Sequence, residues 1–135
     1  MQRLSRKCTV AVLITLVSIG GLSGCGALTE ALAEAEKAKE LEITPPELDT
    51  VADGTYRGFY EAGLTKAEVE TRIRGGRIVT LQLLSHDHGR GGEAEILVDR
   101  IVERQTLDLD TVSGATISSK VILKASELAI KKGTE

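Results

Sequence analysis

Two hydroxyl side chains and a glycine lie close together at 113–116, within the segment 110–119, the part of the chain best equipped for chemistry. Asp110 is followed by Ser113, Gly114 and Thr116, directly before a stretch with helical periodicity. The first N–H groups of a helix lack partners and carry the positive end of its dipole, so they attract phosphate. Gly114 allows a ligand to approach the main chain closely. The spacing predicts a phosphate-binding site in which Thr116 places its hydroxyl beside the phosphoryl group.

The residues around Thr116 also limit what that hydroxyl can do. A threonine hydroxyl is a poor nucleophile, and no general base stands next to it in the sequence. A phosphoester formed on Thr116 therefore requires a separate catalyst. The alternative interpretation of 113–116 is an ordinary helix cap, which serine and threonine provide in many proteins without a ligand. Ser118 and Ser119 can also serve the first turn of that helix.

Two histidines lie in the polar, glycine-rich stretch 85–92. His86 and His88 could share a metal ion with Asp87, but the sequence places no third or fourth ligand beside them. We therefore favour a solvated loop and predict no metal site.

The first 24 residues have the organisation of an export signal. A basic start is followed by the uncharged apolar run 8–22, which is too short for a confident membrane span, and then by Leu-Ser-Gly-Cys ending at Cys25. This order resembles the lipobox of bacterial lipoproteins. The resemblance implies cleavage before Cys25, a lipid on its thiol and attachment to a membrane without spanning it. The alternatives are an uncleaved anchor or an ordinary buried cysteine.

Charge and cysteine content restrict the partners of the mature chain. The whole sequence has a net charge of −3, and loss of Arg3, Arg6 and Lys7 with the signal leaves −6. An acidic domain is a poor match for nucleic acid, whose phosphates require a basic surface. Cys8 lies in the cleaved segment, so lipidation of Cys25 leaves no thiol for disulfides or metal ligation.

Hydropathy patterns predict an α+β fold, a small antiparallel sheet packed against two helices. Alternation of period two predicts strands, with a tight turn at Gly75–Gly76 and with Phe59 in the core. Helical spacing of apolar residues predicts two helices. The predicted strands are 54–60, 67–74 and 77–84, and the predicted helices are 93–104 and 117–131.

The chain divides into three parts. Residues 1–24 are the signal peptide, residues 25–50 are a lipidated N-terminus with a helical spacer, and residues 51–135 are one folded domain. The spacer, rich in alanine, glutamate, lysine and leucine, has only a thin apolar stripe, so a core helix is the less favoured alternative.

Residues 110–116 (DTVSGAT) resemble the D-x-x-[S/T]-G-A-T motif of the FMN-binding domain family. This family includes the flavin-bearing subunits of the sodium-pumping NADH:quinone reductase and of Rnf-type complexes. The resemblance extends from Asp53 to Lys132 through the opening DGTYRG, the turn GGRI and the QTL before the motif. It implies FMN joined to Thr116 by a phosphodiester, made outside the cytoplasm by a magnesium-dependent flavin transferase that uses FAD.

The resemblance also implies the residues of the site and the role of the protein. Residues 86–92 stand where larger relatives have a threonine-proline-glycine-leucine segment along the flavin, so either His88 or the backbone of Gly91–Gly92 is expected at the flavin edge. The expected role is an electron carrier on the outer face of the cell membrane, with an unidentified redox donor and acceptor. Alternatives are a reductase with noncovalent FMN and a cofactor-free lipoprotein. The predicted cofactor-binding residues are Asp110, Ser113, Gly114, Ala115, Thr116, Ser118, Ser119 and His88.

Overall fold

A three-stranded antiparallel sheet and two helices form the folded domain, in a computed structural model that describes residues 24–135 and the side chains from Gly26 onward. The predicted α+β class is confirmed. The predicted signal peptide lies outside the described residues except for Gly24, and so does the side chain of Cys25. The elements are α1 (Gly24–Lys39), β1 (Gly54–Ala62), β2 (Thr65–Arg74), β3 (Arg77–Asp87), α2 (Ile96–Arg104) and α3 (Thr116–Lys131), with short 3-10 turns at Leu48–Thr50 and Gly92–Glu95.

Two tight hairpins connect the strands in the order β1-β2-β3. The predicted turn at Gly75–Gly76 is confirmed, because both residues have positive φ angles, 56° and 68°, which glycine adopts without strain. The carboxylate of Asp53 accepts a hydrogen bond from the Gly75 N–H at 2.7 Å and fixes this turn from outside. β3 runs to Asp87, three residues beyond the predicted end, so His86 belongs to a strand and not to a loop.

One face of the sheet is covered by α3, which crosses β1 and β2, while α2 packs on β3. On β2 the alternate residues Ala67, Val69, Thr71 and Ile73 are all buried beneath the helices. This is the pattern that period-two alternation predicts.

Gly58 is where α3 comes closest to β1. A Cβ atom there would lie 1.9 Å from the Ala125 carbonyl oxygen and 2.5 Å from the Ala129 nitrogen. Only glycine permits this approach of helix to strand.

Phe59 is not in the core, contrary to expectation, and is 50% exposed. The even-numbered residues of β1 face the helices, so Tyr56 and Tyr60 pack against the core while Phe59 points to the opposite face. The expectation rested on the apolar character of the Phe59 ring. Because Gly58 occupies an inward position of β1, its neighbour Phe59 must point outward.

The pairing of β2 with β3 contains two register shifts, between Glu68 and Val69 and between Arg72 and Ile73. Each shift inserts a residue and changes which side chains of β3 face inward. The inward positions are Ile78, Leu81, Leu83 and His86, spaced by three, two and three residues.

The predicted spacer is helical and lies against the domain. α1 contacts α3 and β1, and Ala38 near its end is buried. The segment after α1 is held by the Lys120 ammonium, which donates to the Leu41 carbonyl at 2.8 Å. Across residues 24–135, no helix combines the length and apolar character needed to cross a membrane.

A buried carboxylate, that of Glu127 on α3, joins this segment to the core. It accepts hydrogen bonds from the ammonium groups of Lys124 and Lys131 and from the Thr44 N–H. Burial raises the pKa of the Glu127 carboxyl, but these hydrogen bonds outweigh burial and hold the pKa below its ordinary value.

We predict that the stability contributed by Glu127 is lost in acid. Because its folded pKa lies below the unfolded value, the contribution is complete above about pH 4.5 and disappears as the pH falls through the folded pKa. Glu127→Gln should lower the free energy of unfolding by about 2 kcal/mol at pH 7. Urea denaturation at pH 7 and pH 3 measures the difference, which should shrink at pH 3. The exposed Glu103→Gln is the control, and a pH-independent difference for Glu127→Gln would contradict the prediction.

Candidate functional site

The start of α3 opens into a cleft of about 350 Å³. Thr116 is the first residue of the helix, and its side chain is half-buried at the cleft wall. The opposite wall is the glycine-rich loop between β3 and α2. The lining residues are Lys39, Thr65, Gly89, Arg90, Gly91, Gly114, Ala115, Thr116, Ile117 and Ser118.

The first turn of α3 has no side-chain cap among the described residues. Its N-cap position is held by Ala115, a buried methyl side chain that has nothing to donate or accept. Gly114, with φ of 79°, turns the chain into the helix from the exposed side. The leading N–H groups of α3 are therefore left for a ligand, because helix geometry provides them with no internal acceptor.

Ser119 attaches the motif loop, residues 110–115, to the first turn of α3. Its hydroxyl accepts a hydrogen bond from the Val112 N–H at 2.9 Å and donates one to the Ala115 carbonyl at 2.8 Å. The side chain is fully buried. Both ends of the turn 112–115 are thus attached to the helix that they introduce.

Gln105 anchors the other end of the motif segment. It ends α2 in the left-handed conformation, with φ of 57°. Its side-chain amide pairs with β3 as a neighbouring strand would, because Oε1 accepts from the Ile78 N–H and Nε2 donates to the Ile78 carbonyl, both at 2.9 Å. The connection between the two helices is therefore fixed to the sheet before the motif begins.

Close packing of Gly91 on α3 shapes the far wall of the cleft. A Cβ atom on Gly91 would lie 1.9 Å from the Ser118 hydroxyl, so any larger residue would push the loop and helix apart. Ser118 is buried at this contact. The glycine-rich loop is thereby brought to the first turn of α3.

Two cationic side chains, Lys39 and Arg90, line the cleft. Lys39, at the end of α1, also pairs with Glu36 at 2.8 Å, while Arg90 makes no ion pair within residues 24–135. These cations and the uncapped helix start together favour a bound anion such as phosphate. Sequence reasoning missed Lys39 and Thr65, because nothing in their local sequence indicates that the fold brings them to the motif.

The structure separates the predicted site residues into four groups. Gly114, Ala115, Thr116 and Ser118 line the cleft. Asp110 and Ser113 are exposed on the loop beside it, and Ser119 is buried behind it. His88 lies outside the lining, with its ring against Gly92.

A second cleft of similar volume lies elsewhere in the domain, lined by residues including Pro46, Ile78, Gln105 and Leu107. It contains none of the residues 110–119, so we assign no ligand chemistry to it.

A family model for the FMN-binding domain matches residues 63–131. The chain belongs to the FMN-binding domain family. The match includes every cleft residue except Lys39 and supports FMN as the cofactor and electron transfer as its use. No curated protein matches the sequence of this chain.

We predict that Ser119→Ala loosens the motif loop of this FMN-binding domain. The change leaves the Val112 N–H without its acceptor, at a cost of about 1–2 kcal/mol in the free energy of unfolding. Hydrogen exchange at the Val112 amide should accelerate more than exchange in the sheet. Ser113→Ala, which removes an exposed hydroxyl from the same loop, should change the stability by less than about 0.5 kcal/mol. Equal effects of the two variants would refute the assignment.

Proposed function

We propose that this protein is a lipid-anchored electron carrier outside the cytoplasmic membrane, with FMN esterified to Thr116. The observation that carries the proposal is the place of Thr116, a hydroxyl on the first residue of an uncapped helix at the wall of an open cleft. A phosphate there meets helix N–H groups and two cations. The family motif DTVSGAT ends on this residue.

The attachment needs an enzyme and a nucleotide donor. The Thr116 hydroxyl attacks the phosphorus nearer the riboflavin in FAD, the bond between the two phosphates breaks, AMP leaves, and the hydroxyl proton goes to a base. Among the described residues no such base lines the cleft, where Lys39 and Arg90 are cationic. We therefore assign this step to a magnesium-dependent flavin transferase, for which the exposed Asp110 and Gly114 offer a recognition surface.

The chain's own residues then bind and position the cofactor. Bound FMN supplies reversible electron transfer, and the protein fixes where it lies. Ser119 and Gln105 make the motif loop rigid, and the glycine-rich loop closes the opposite side. A covalent bond prevents loss of FMN by dilution outside the cell, and an anchor at Cys25 raises its effective concentration near membrane donors and acceptors.

We predict that flavin attachment depends on the Thr116 hydroxyl. In cells that coexpress a flavin transferase, wild-type protein should carry one FMN, seen as in-gel fluorescence after denaturation and as the mass of FMN less one water. Thr116→Ala should lose both signals. Thr111→Ala, which removes a hydroxyl at a variable position of the same motif, should retain them.

The other outcomes distinguish the alternative functions. Yellow protein that releases its flavin on denaturation would indicate noncovalent FMN and a reductase. Colourless wild-type protein that ignores added FMN would indicate a lipoprotein without a cofactor. Fluorescence in Thr116→Ala would place the bond on another residue.

We predict that the anchor depends on Cys25. Radiolabelled palmitate should be incorporated into the wild type and into Cys8→Ser, since Cys8 lies in the segment expected to be removed. Cys25→Ser should incorporate none, because the thiol that receives the lipid is missing. Label in Cys25→Ser, or its absence from all three proteins, would contradict lipid anchoring.

A further inference from the structure

Three side chains converge beside the cleft, at the end of β3 and the start of the α2 region. His86, His88 and Glu95 each offer one donor atom, and these atoms lie within 4.8 Å of one another. The Nδ1 atom of His86 is 3.0 Å from the Oε1 atom of Glu95, and the Nε2 atom of His88 is 3.7 Å from the same oxygen. Both imidazoles therefore turn one nitrogen toward a single carboxylate oxygen.

The environment of His86 is unusual for a residue with only a structural role. Its side chain is 2% exposed, and its Nε2 atom is buried without a hydrogen-bond partner among the described residues. The Nδ1 atom of His88 is likewise buried without a hydrogen-bond partner among the described residues. Buried polar atoms are nearly always paired, so these two need an explanation. They are not the ring nitrogens nearest Glu95; the nitrogens offered to a shared ion are the Nδ1 atom of His86 and the Nε2 atom of His88.

Ring stacking does not explain this arrangement of the two histidines. Their ring centroids are 4.4 Å apart, but the planes are tilted by 37°, so the faces do not lie flat on each other. The Nδ1 atom of His86 and the Nε2 atom of His88 instead both lie near one carboxylate oxygen of Glu95, an arrangement that suits a shared ligand.

We propose that His86, His88 and Glu95 bind a divalent transition metal ion of the Zn²⁺ class. Two imidazoles and one carboxylate suit Zn²⁺, Co²⁺ or Ni²⁺, whereas Mg²⁺ and Ca²⁺ prefer sites built from oxygen. Three protein ligands leave at least one coordination position open to water or a small ligand. This assignment reverses the sequence-based prediction of no metal site, which lacked Glu95 as the third ligand.

The position of the metal site connects it to the cleft. Its ligands lie on both sides of the loop 89–92, three residues of which, Gly89, Arg90 and Gly91, line the cleft wall. The ring of His88 also contacts Gly92, where a Cβ atom would lie 3.0 Å from the ring carbon Cε1. A bound metal fixes both ends of this loop and so makes that wall of the cleft rigid.

Metal binding can be measured directly on the full chain, purified in detergent without a polyhistidine tag and without coexpressed transferase. Calorimetric titration should show one Zn²⁺ per chain, with no heat of binding from Mg²⁺ at the same concentrations. Co²⁺ should give visible absorption bands that added Zn²⁺ removes. Glu95→Gln should weaken Zn²⁺ binding by about tenfold or more, since even loss of an outer-shell partner has an effect of that size.

Matched variants separate loss of a ligand from loss of the fold. Glu95 is 50% exposed, so Glu95→Gln should keep the thermal midpoint of the wild type. Glu93→Gln removes the same charge from the same 3-10 turn and should leave Zn²⁺ affinity unchanged. His88→Gln should abolish the Co²⁺ bands, while Thr116→Ala should retain them, because the metal site does not depend on flavin attachment. Absence of stoichiometric binding, or equal weakening by Glu93→Gln and Glu95→Gln, would overturn the proposal.

Discussion

The contact between the backbones of α3 and β1 at Gly58 is the constraint on which the rest of the site depends. Because no side chain separates helix from strand there, α3 packs directly on the backbone of β1. Sliding along the strand would drive the helix against the inward side chains of Tyr56 and Tyr60, and rising from the sheet would lose this close packing. A helix is stiff, so this contact also determines the position of Thr116. Thr116 lies about 14 Å from Ala125 along α3, at about 1.5 Å per residue. The cleft is thus formed by packing that lies well outside it.

Side-chain hydrogen bonds extend this rigidity into the motif segment. Gln105 attaches the segment to β3, and Ser119 attaches it to α3, so the chain between two helices is held at both ends although it has no regular structure. Such preorganisation would suit the proposed attachment of FMN to Thr116, because an external enzyme needs the acceptor hydroxyl in one conformation.

Sequence patterns predicted the structural features that depend on residues close together in the chain. The Gly75–Gly76 turn, the alternation on β2 and the helical period before residue 131 each reflect neighbours in the chain. The sequence also predicted a helix start directly after Thr116, one residue from where α3 begins. The inward position of His86 could not be predicted, because a register shift in the β2–β3 pairing changes the phase of β3. Lys39 and Glu95 reach their sites through tertiary packing, which leaves no local signal.

In the proposed lipid-anchored protein, the contact of α1 with the domain would limit how far the flavin can travel from a membrane. From Cys25 to Lys39 this helix rises about 21 Å, and its last residue already borders the cleft. With a lipid on Cys25, α1 would be a short helical connection between the bilayer and the domain, and the domain could not move far from the membrane. Under the proposed anchoring, redox partners would meet the cofactor near the bilayer surface, which would favour membrane-bound proteins over freely diffusing ones.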